Sequence, residues 1–165
     1  MPVPARYSRL QIALHWTIAV LILVQLTVNA DMQRAFAHRL SSGTLPSDFG
    51  AWFHAAIGIL ALALAVARLF VRSNRGVPSP PKGTHPLLNA LSHGTHMLLY
   101  GFMFFMPITG AVAWFTGLEL SAVFHELGRL VLIPVILLHI GGAIVEEVVL
   151  DNRVLRRMTH PEAPD

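Results

Sequence analysis

The chain has 165 residues, of which 54% are hydrophobic and only 13% are charged, and its mean hydropathy is +0.58. Soluble domains carry about 25% charged residues, so this composition excludes an ordinary soluble domain and indicates an integral membrane protein. The formal net charge is +3 and cysteine is absent. The lack of thiols excludes disulfides, iron–sulfur clusters and covalent c-type haem.

Four apolar runs are long enough to span a bilayer, at about residues 10–30, 51–71, 91–116 and 125–149. They predict an all-α, integral membrane four-helix bundle that forms one domain over residues 1–165. Pro107 and Pro134 fall inside the third and fourth runs and predict kinks there. Residues 79–83 predict a stiff connector, and an outer loop is expected after the first run. Four aromatic residues fall near the ends of the runs, where the aromatic belts of membrane proteins lie: Tyr7, Trp16, Trp52 and Trp114.

The first run has an alternative interpretation. The start of the chain is similar to a signal peptide, because Arg6 and Arg9 precede an apolar stretch. Residues 28–30, just before Asp31, would then be the cleavage site. The run is long for such a segment, and cleavage would remove His15 from the chain. We therefore favour a membrane span.

The basic residues predict the orientation of the chain. They concentrate at the N-terminus, between the second and third spans, and in the C-terminal tail: Arg6, Arg9, Arg68, Arg72, Arg75, Lys82, Arg153, Arg156 and Arg157. On the opposite side Arg34 and Arg39 are offset by Asp31 and Asp48. The positive-inside rule therefore predicts cytoplasmic termini, and the isoelectric point of about 10.2 reflects this distribution rather than a nucleic-acid partner.

Four histidines lie inside the apolar runs: His15, His54, His125 and His139. Ionisable side chains are costly within a bilayer, so they usually mark function. The fourteen residues from His125 to His139 return to within about 40° of one helix face and cover about 21 Å of its axis. The topology places His15 with His139 in the cytoplasmic leaflet and His54 with His125 in the outer leaflet. We therefore predict two facing pairs.

Each pair has the donor chemistry for one metal centre. Imidazole suits iron, copper and zinc, but two imidazoles underfill a tetrahedral zinc site. A haem takes four iron ligands from its porphyrin, so two axial imidazoles complete the iron and leave no position open for oxygen. The pairs His15/His139 and His54/His125 therefore predict two b-type haems, about 20 Å apart. The alternative for each histidine is a structural hydrogen bond to a neighbouring helix.

Several glycines near the predicted ligands also admit two interpretations. They would let a flat macrocycle approach the backbone, or they pack helices together, as small residues often do in membranes. The glycines are Gly58, Gly94, Gly128, Gly141 and Gly142.

Other polar residues give weaker signals. His93 and His96 share a helix face, and His96 is a candidate for contact with a haem propionate or a quinone, or for a structural role. Three further histidines are expected at the surface: His38, His85 and His160. The candidate quinone residues are Trp16, His96 and Tyr100.

Basic side chains near the predicted haems have two possible roles. A positive outer cluster of Arg34, His38 and Arg39 would attract an anionic donor, although Arg34 and Arg39 taken singly are better explained as ordinary loop charges. Arg129 lies four residues after His125 and so faces the same haem region or pairs with a propionate. The candidates for propionate contacts on the cytoplasmic side are Arg9, Arg68 and Arg72.

The sequence resembles the bacterial cytochrome b561 family of four-helix dihaem membrane proteins. The similarity covers nearly the whole chain and is carried by 6–16, by 53–58, by 67–69, by 92–96 with Pro107 and Gly110, by 125–127, by His139 and by 151–152. The opening motif together with the fourteen-residue histidine spacing is fairly specific, whereas each piece alone is weak.

The resemblance implies two non-covalent b haems in a bacterial inner membrane, ligated by His15, His54, His125 and His139, and electron exchange with ubiquinone. Some members are similar to superoxide oxidases, which pass electrons from periplasmic superoxide to ubiquinone. The segment between the third and fourth spans is short here, so the outer surface is expected to differ. The alternative is an anchor subunit that relays electrons for a separate dehydrogenase or hydrogenase.

Overall fold

Helices make up every regular element in the part of the chain that the computed structural model describes, which is residues 4, 6–28, 30–80 and 84–161. In chain order they are α1 (Arg9–Thr27), α2 (Ala30–Ser42), α3 (Phe49–Arg75), α4 (Pro86–Thr116), α5 (Glu119–Ile144), a π-helical turn (Val145–Val149) and α6 (Val154–Arg157). Four of them are long and apolar enough to cross a membrane: α1, α3, α4, and α5 with its π turn. The predicted all-α membrane bundle is confirmed.

The four long helices begin ahead of the apolar runs, and side chains cap the starts of α1, α3 and α4 but not that of α5. Ser8 and Gln11 form a reciprocal capping box at the start of α1. The Asp48 carboxylate accepts a hydrogen bond from the Ala51 amide (2.8 Å), which moves the start of α3 ahead of the predicted span. Pro107 and Pro134 lie inside α4 and α5, as the sequence predicts. Residues 81–83 of the predicted stiff connector lie outside the described residues.

The bundle has two distinct ends. Along it, α1 packs on α3, α3 on α4, and α4 on α5. At the tail end, the Gln11 amide donates to the Gly76 carbonyl (2.9 Å) and the Trp16 indole donates to the Met158 carbonyl (2.8 Å). The N-terminal segment, the α3–α4 connector and the C-terminal tail therefore meet there. The opposite end carries α2, and we call it the α2 end.

The segment between the first two spans is expected from the sequence to be a loop, but residues 30–42 of it form helix α2. One face of α2 is held by apolar contacts: Ala35 is 4% exposed and packs with Ala51 and Trp114, flanked by Met32 and Phe36. Trp114 lies near the end of α4, as predicted, but its side chain does not face the membrane interface as a belt residue would. Its side chain is only 1% exposed, since α2 covers it.

Candidate functional site

At the tail end, α1 and α5 bring His15 and His139 together. Their ring centres lie 6.2 Å apart, with the ring planes at 66°. Both side chains are half-buried. The pair that the sequence predicts at this depth therefore consists of spatial neighbours.

At the α2 end, α3 and α5 bring His54 and His125 together in a similar way. Their ring centres lie 6.3 Å apart, with the planes at 77°. His125 and His139 both lie on α5, so about 21 Å of helix separates the two pairs. A single helix thus contributes one histidine to each pair.

The spacing within each pair fits two imidazoles that bind one metal ion from opposite sides. Metal–nitrogen bonds of about 2.0–2.1 Å place two opposed ring nitrogens about 4 Å apart and the ring centres about 6 Å apart. Within the described residues, neither α1 with α5 nor α3 with α5 forms a closely packed pair of helices. The histidines therefore face each other across helices whose backbones are not in close contact.

Backbone carbonyls orient both rings of the α2-end pair. The Nδ1 of His125 lies 2.8 Å from the Met106 carbonyl oxygen and 3.3 Å from the Thr109 hydroxyl. The Nδ1 of His54 lies 3.2 Å from the Val28 carbonyl oxygen. When Nδ1 donates to a carbonyl, Nε2 is left as the free ligand atom, and this arrangement is typical of metal-binding histidines.

The tail-end pair is held differently. In the described residues no hydrogen bond reaches a ring nitrogen of His15 or His139. Instead, the His96 ring packs edge-on against His139, with the ring centres 4.9 Å apart and the planes at 88°. The Nδ1 of His96 is directed to the Ser92 carbonyl at 2.7 Å. The centre-to-centre distance is too short for two opposed ligands of one metal, so His96 lies beside the pair rather than within it.

Basic side chains flank both pairs. Arg68 is near enough to interact electrostatically with His15 and His139, and it donates a hydrogen bond to the Gln11 carbonyl (3.1 Å). At the α2 end, Arg129 interacts with His125. A positive charge beside a redox centre favours the reduced form, and it can also hold a carboxylate.

Tyr100 connects the tail-end pair to the chain segment before α1. Its ring lies under the guanidinium groups of Arg72 and Arg68, whose central carbons are 5.3 and 6.0 Å from the ring centre. Burial raises the pKa of the nearby Tyr7 phenol, although Arg72 and Arg68 oppose this change. The phenols of Tyr7 and Tyr100 and the guanidinium groups of Arg68 and Arg72 are therefore neighbours at the tail end.

The remaining predicted residues fall into different settings. Of the three quinone candidates, Trp16 already donates its indole hydrogen to the Met158 carbonyl. The predicted outer cluster is divided, since Arg34 pairs with Asp31 and Arg39 turns towards the end of α4. The exposed side chains include those of Arg9, His38, His85, His93 and His160.

The glycines near the predicted ligands fall into two groups, those with close neighbours at the Cβ position and those with open space there. A Cβ atom on Gly128 would meet Met106 and Phe105, and one on Gly58 would meet Gln25, so both permit close helix packing. No atom lies within 4 Å of the Cβ position of Gly94, Gly141 or Gly142.

Sequence reasoning missed the partners of the histidines. The Gln25 amide donates to the His54 carbonyl (2.9 Å). A Cβ atom on Gly110 would lie 2.9 Å from the His125 ring. In the sequence, Gln25 and Gly110 are noticeable only as a polar and a small residue inside apolar runs. That pattern does not reveal which histidine each of them contacts.

The four membrane-crossing helices and the histidines between them define a multi-pass helical membrane protein. The family model for prokaryotic cytochrome b561 matches residues 6–161, and the chain belongs to that family. Membership implies membrane electron transfer as the general function and haem b as the cofactor. The predicted family resemblance is confirmed.

Two named relatives show how the similarity is distributed. The chain is 34% identical to "Cytochrome b562" of Cereibacter sphaeroides over 155 residues, which cover 94% of this chain and 96% of that protein. It is 29% identical to "Probable superoxide oxidase CybB" of Yersinia pestis over 108 residues, which cover 64% of this chain and 56% of that protein.

Proposed function

We propose that this protein transfers single electrons across a bacterial inner membrane, between a donor at the α2 end and ubiquinone at the tail end. The observation that carries the proposal is the presence of two histidine pairs, with ring centres 6.2 and 6.3 Å apart, joined by one helix. Each pair would hold one b-type haem through His15 and His139 or through His54 and His125. Haem would supply reversible one-electron chemistry at each position.

The residues around the pairs support this function in separate ways. Met106 and Val28 orient the ring nitrogens of the α2-end pair, and His96 restrains His139 at the other end. The helices that carry the pairs are apolar over their membrane-spanning lengths. The basic residues at the tail end favour its placement in the cytoplasm, so the α2 end faces outwards.

Superoxide is the donor that we propose for the α2 end. The name of the Yersinia pestis relative supports this choice. Superoxide gives up one electron and leaves as dioxygen. Two superoxide ions and two protons then convert one ubiquinone to ubiquinol, so charge and electrons balance.

The test is superoxide-driven reduction of a water-soluble ubiquinone analogue by the purified chain in nanodiscs. We expect about two haems per chain, and quinol formation that stops when superoxide dismutase is added. A haem-free chain, or quinol formation by a His139→Ala variant at the unaltered rate, would contradict the proposal. Arg34→Gln serves as a control, because Arg34 is exposed and paired with Asp31.

A second candidate is a relay for a separate periplasmic dehydrogenase. The relative that matches over nearly its full length carries only the name of a cytochrome, which favours an electron carrier without a substrate of its own. The same assay separates the two functions. Quinol formation that requires an added dehydrogenase and ignores superoxide would favour the relay.

A further inference from the structure

The junction between α2 and the end of α4 contains two buried hydrogen-bond donors without acceptors. They are the Nε of Arg39 and the indole nitrogen of Trp114, which is 1% exposed. Leaving a buried donor unsatisfied costs about 1–3 kcal/mol. The two donors lie close to each other, because Arg39 reaches the carbonyl of Phe115, the residue after Trp114. Within the described residues the protein supplies an acceptor to neither of them.

Arg39 is held in place by backbone groups rather than by an acid. Its guanidinium donates to the Phe115 carbonyl (3.3 Å) and to the Gly43 carbonyl, and it lies 3.9 Å from the Cβ position of Gly117. Among the described residues the ion pairs are Arg34–Asp31 and Arg153–Asp151. Arg39 therefore brings to the junction a positive charge that forms no ion pair within the described residues.

Trp114 lies on the path from this junction to the α2-end pair. It is four residues beyond Gly110, whose Cβ position touches the His125 ring, so it lies on the same face of α4 and one turn nearer the α2 end. Unlike Trp114, the other two tryptophans have hydrogen-bond acceptors for their indole N–H groups. Trp16 donates to the Met158 carbonyl and Trp52 donates to the Pro46 carbonyl (3.1 Å).

We infer that the α2–α4 junction binds an oxyanion whose oxygens accept hydrogen bonds from Arg39 Nε and Trp114 Nε1. A cationic donor and a neutral donor, neither of them in an ion pair, suit a compact anion with one negative charge. The oxyanion has two possible sources: a diffusible ion such as superoxide, or a carboxylate of the haem held by His54 and His125. The inference rests on the proposed function for the identity of the anion only.

The test uses indole N–H resonances of the haem-loaded, fully reduced protein in nanodiscs, with sodium formate as the probe. The chain has three tryptophans, so Trp114→Phe assigns the resonance of interest. We expect formate to shift the Trp114 signal saturably, whereas sodium chloride at the same ionic strength leaves it in place. The Trp16 and Trp52 signals are internal controls, because their donors are already engaged.

Variants of the arginines supply the second arm. Arg39→Gln should abolish the formate response, Arg39→Lys should retain it in part, and Arg34→Gln should leave it unchanged. If superoxide is the ion, Arg39→Gln should also lower the second-order rate with superoxide by about tenfold. A formate response without superoxide activity would remove the proposed donor but leave the anion site standing.

If the oxyanion is a carboxylate of the haem, we expect a different result. The Trp114 signal would then ignore formate, but Arg39→Gln and Trp114→Phe would each shift the midpoint potential of one haem, and Trp52→Phe would not. If formate has no effect and both variants leave the potentials unchanged, no oxyanion binds at this junction and the inference is overturned.

Discussion

The two histidine pairs have almost the same ring separation but are held by different means. At the α2 end, backbone carbonyls of Val28 and Met106 orient the rings. At the tail end, His139 is restrained by the ring of His96, and Arg68 acts on both members of the pair. Backbone contacts persist through most substitutions, whereas side-chain contacts do not. The tail-end pair should therefore be the easier of the two to alter by mutation.

Removal of a ligand should have the largest effect. His125→Ala and His139→Ala are each expected to lower the haem content from about two to about one per chain, because one imidazole cannot hold a b haem firmly in an apolar site. Haem stoichiometry and a reduced-minus-oxidised spectrum measure this. His38→Ala is the control, since His38 is exposed on α2. Full haem content in either ligand variant would disprove the assignment of that histidine.

Gly110→Ala should disturb the α2-end pair alone. The new methyl group would lie 2.9 Å from the His125 ring, so the ring must move, at a cost of about 1–3 kcal/mol. We expect partial loss of one haem and a lower melting temperature. Gly101→Ala on the same helix is a matched control, because nothing lies within 4 Å of its Cβ position. Equal behaviour of the two variants would show that His125 has room to shift.

Loss of a flanking charge should change one midpoint potential at a time. Arg68→Gln should lower the potential of the tail-end haem, and Arg129→Gln that of the α2-end haem, because each arginine favours the reduced form. The expected change is about 40 mV, or about 1 kcal/mol for one electron. Redox titration followed in the Soret band measures it. Arg68→Lys keeps the charge, and if it shifts the potential as far as Arg68→Gln, geometry rather than charge is responsible.

His96→Phe should give the smallest change, confined to the tail end. Phenylalanine keeps a ring against His139 but removes the contact with the Ser92 carbonyl. We expect a shift of about 18 mV, equivalent to about a twofold change in the redox equilibrium, in one haem only. Low-temperature electron paramagnetic resonance of the ferric haems identifies which one. His93→Phe is the control, and a shift in both haems would mean that the pairs are not independent.

The sequence was sufficient for the parts of the fold that the bilayer dictates. Long apolar runs located the four crossing helices, and the depths of four histidines predicted which would be neighbours. Helix α2 escaped notice because its contacts are made with Trp114 and Ala51, which are distant in the chain. The same distance hid the unsatisfied donors of Arg39 and Trp114, because a sequence shows a donor but not the lack of an acceptor near it.

Helix α5 provides one histidine to each pair, and this constrains how the chain can change in length. Inserting or deleting one residue between His125 and His139 would rotate one ligand by about 100° relative to the other and move it by about 1.5 Å. Compensation elsewhere in the bundle could restore one pair but not both. A change of a whole turn would keep the direction of the ligand but move it by about 5.4 Å along the helix, so the number of residues in this stretch is as constrained as the ligands themselves.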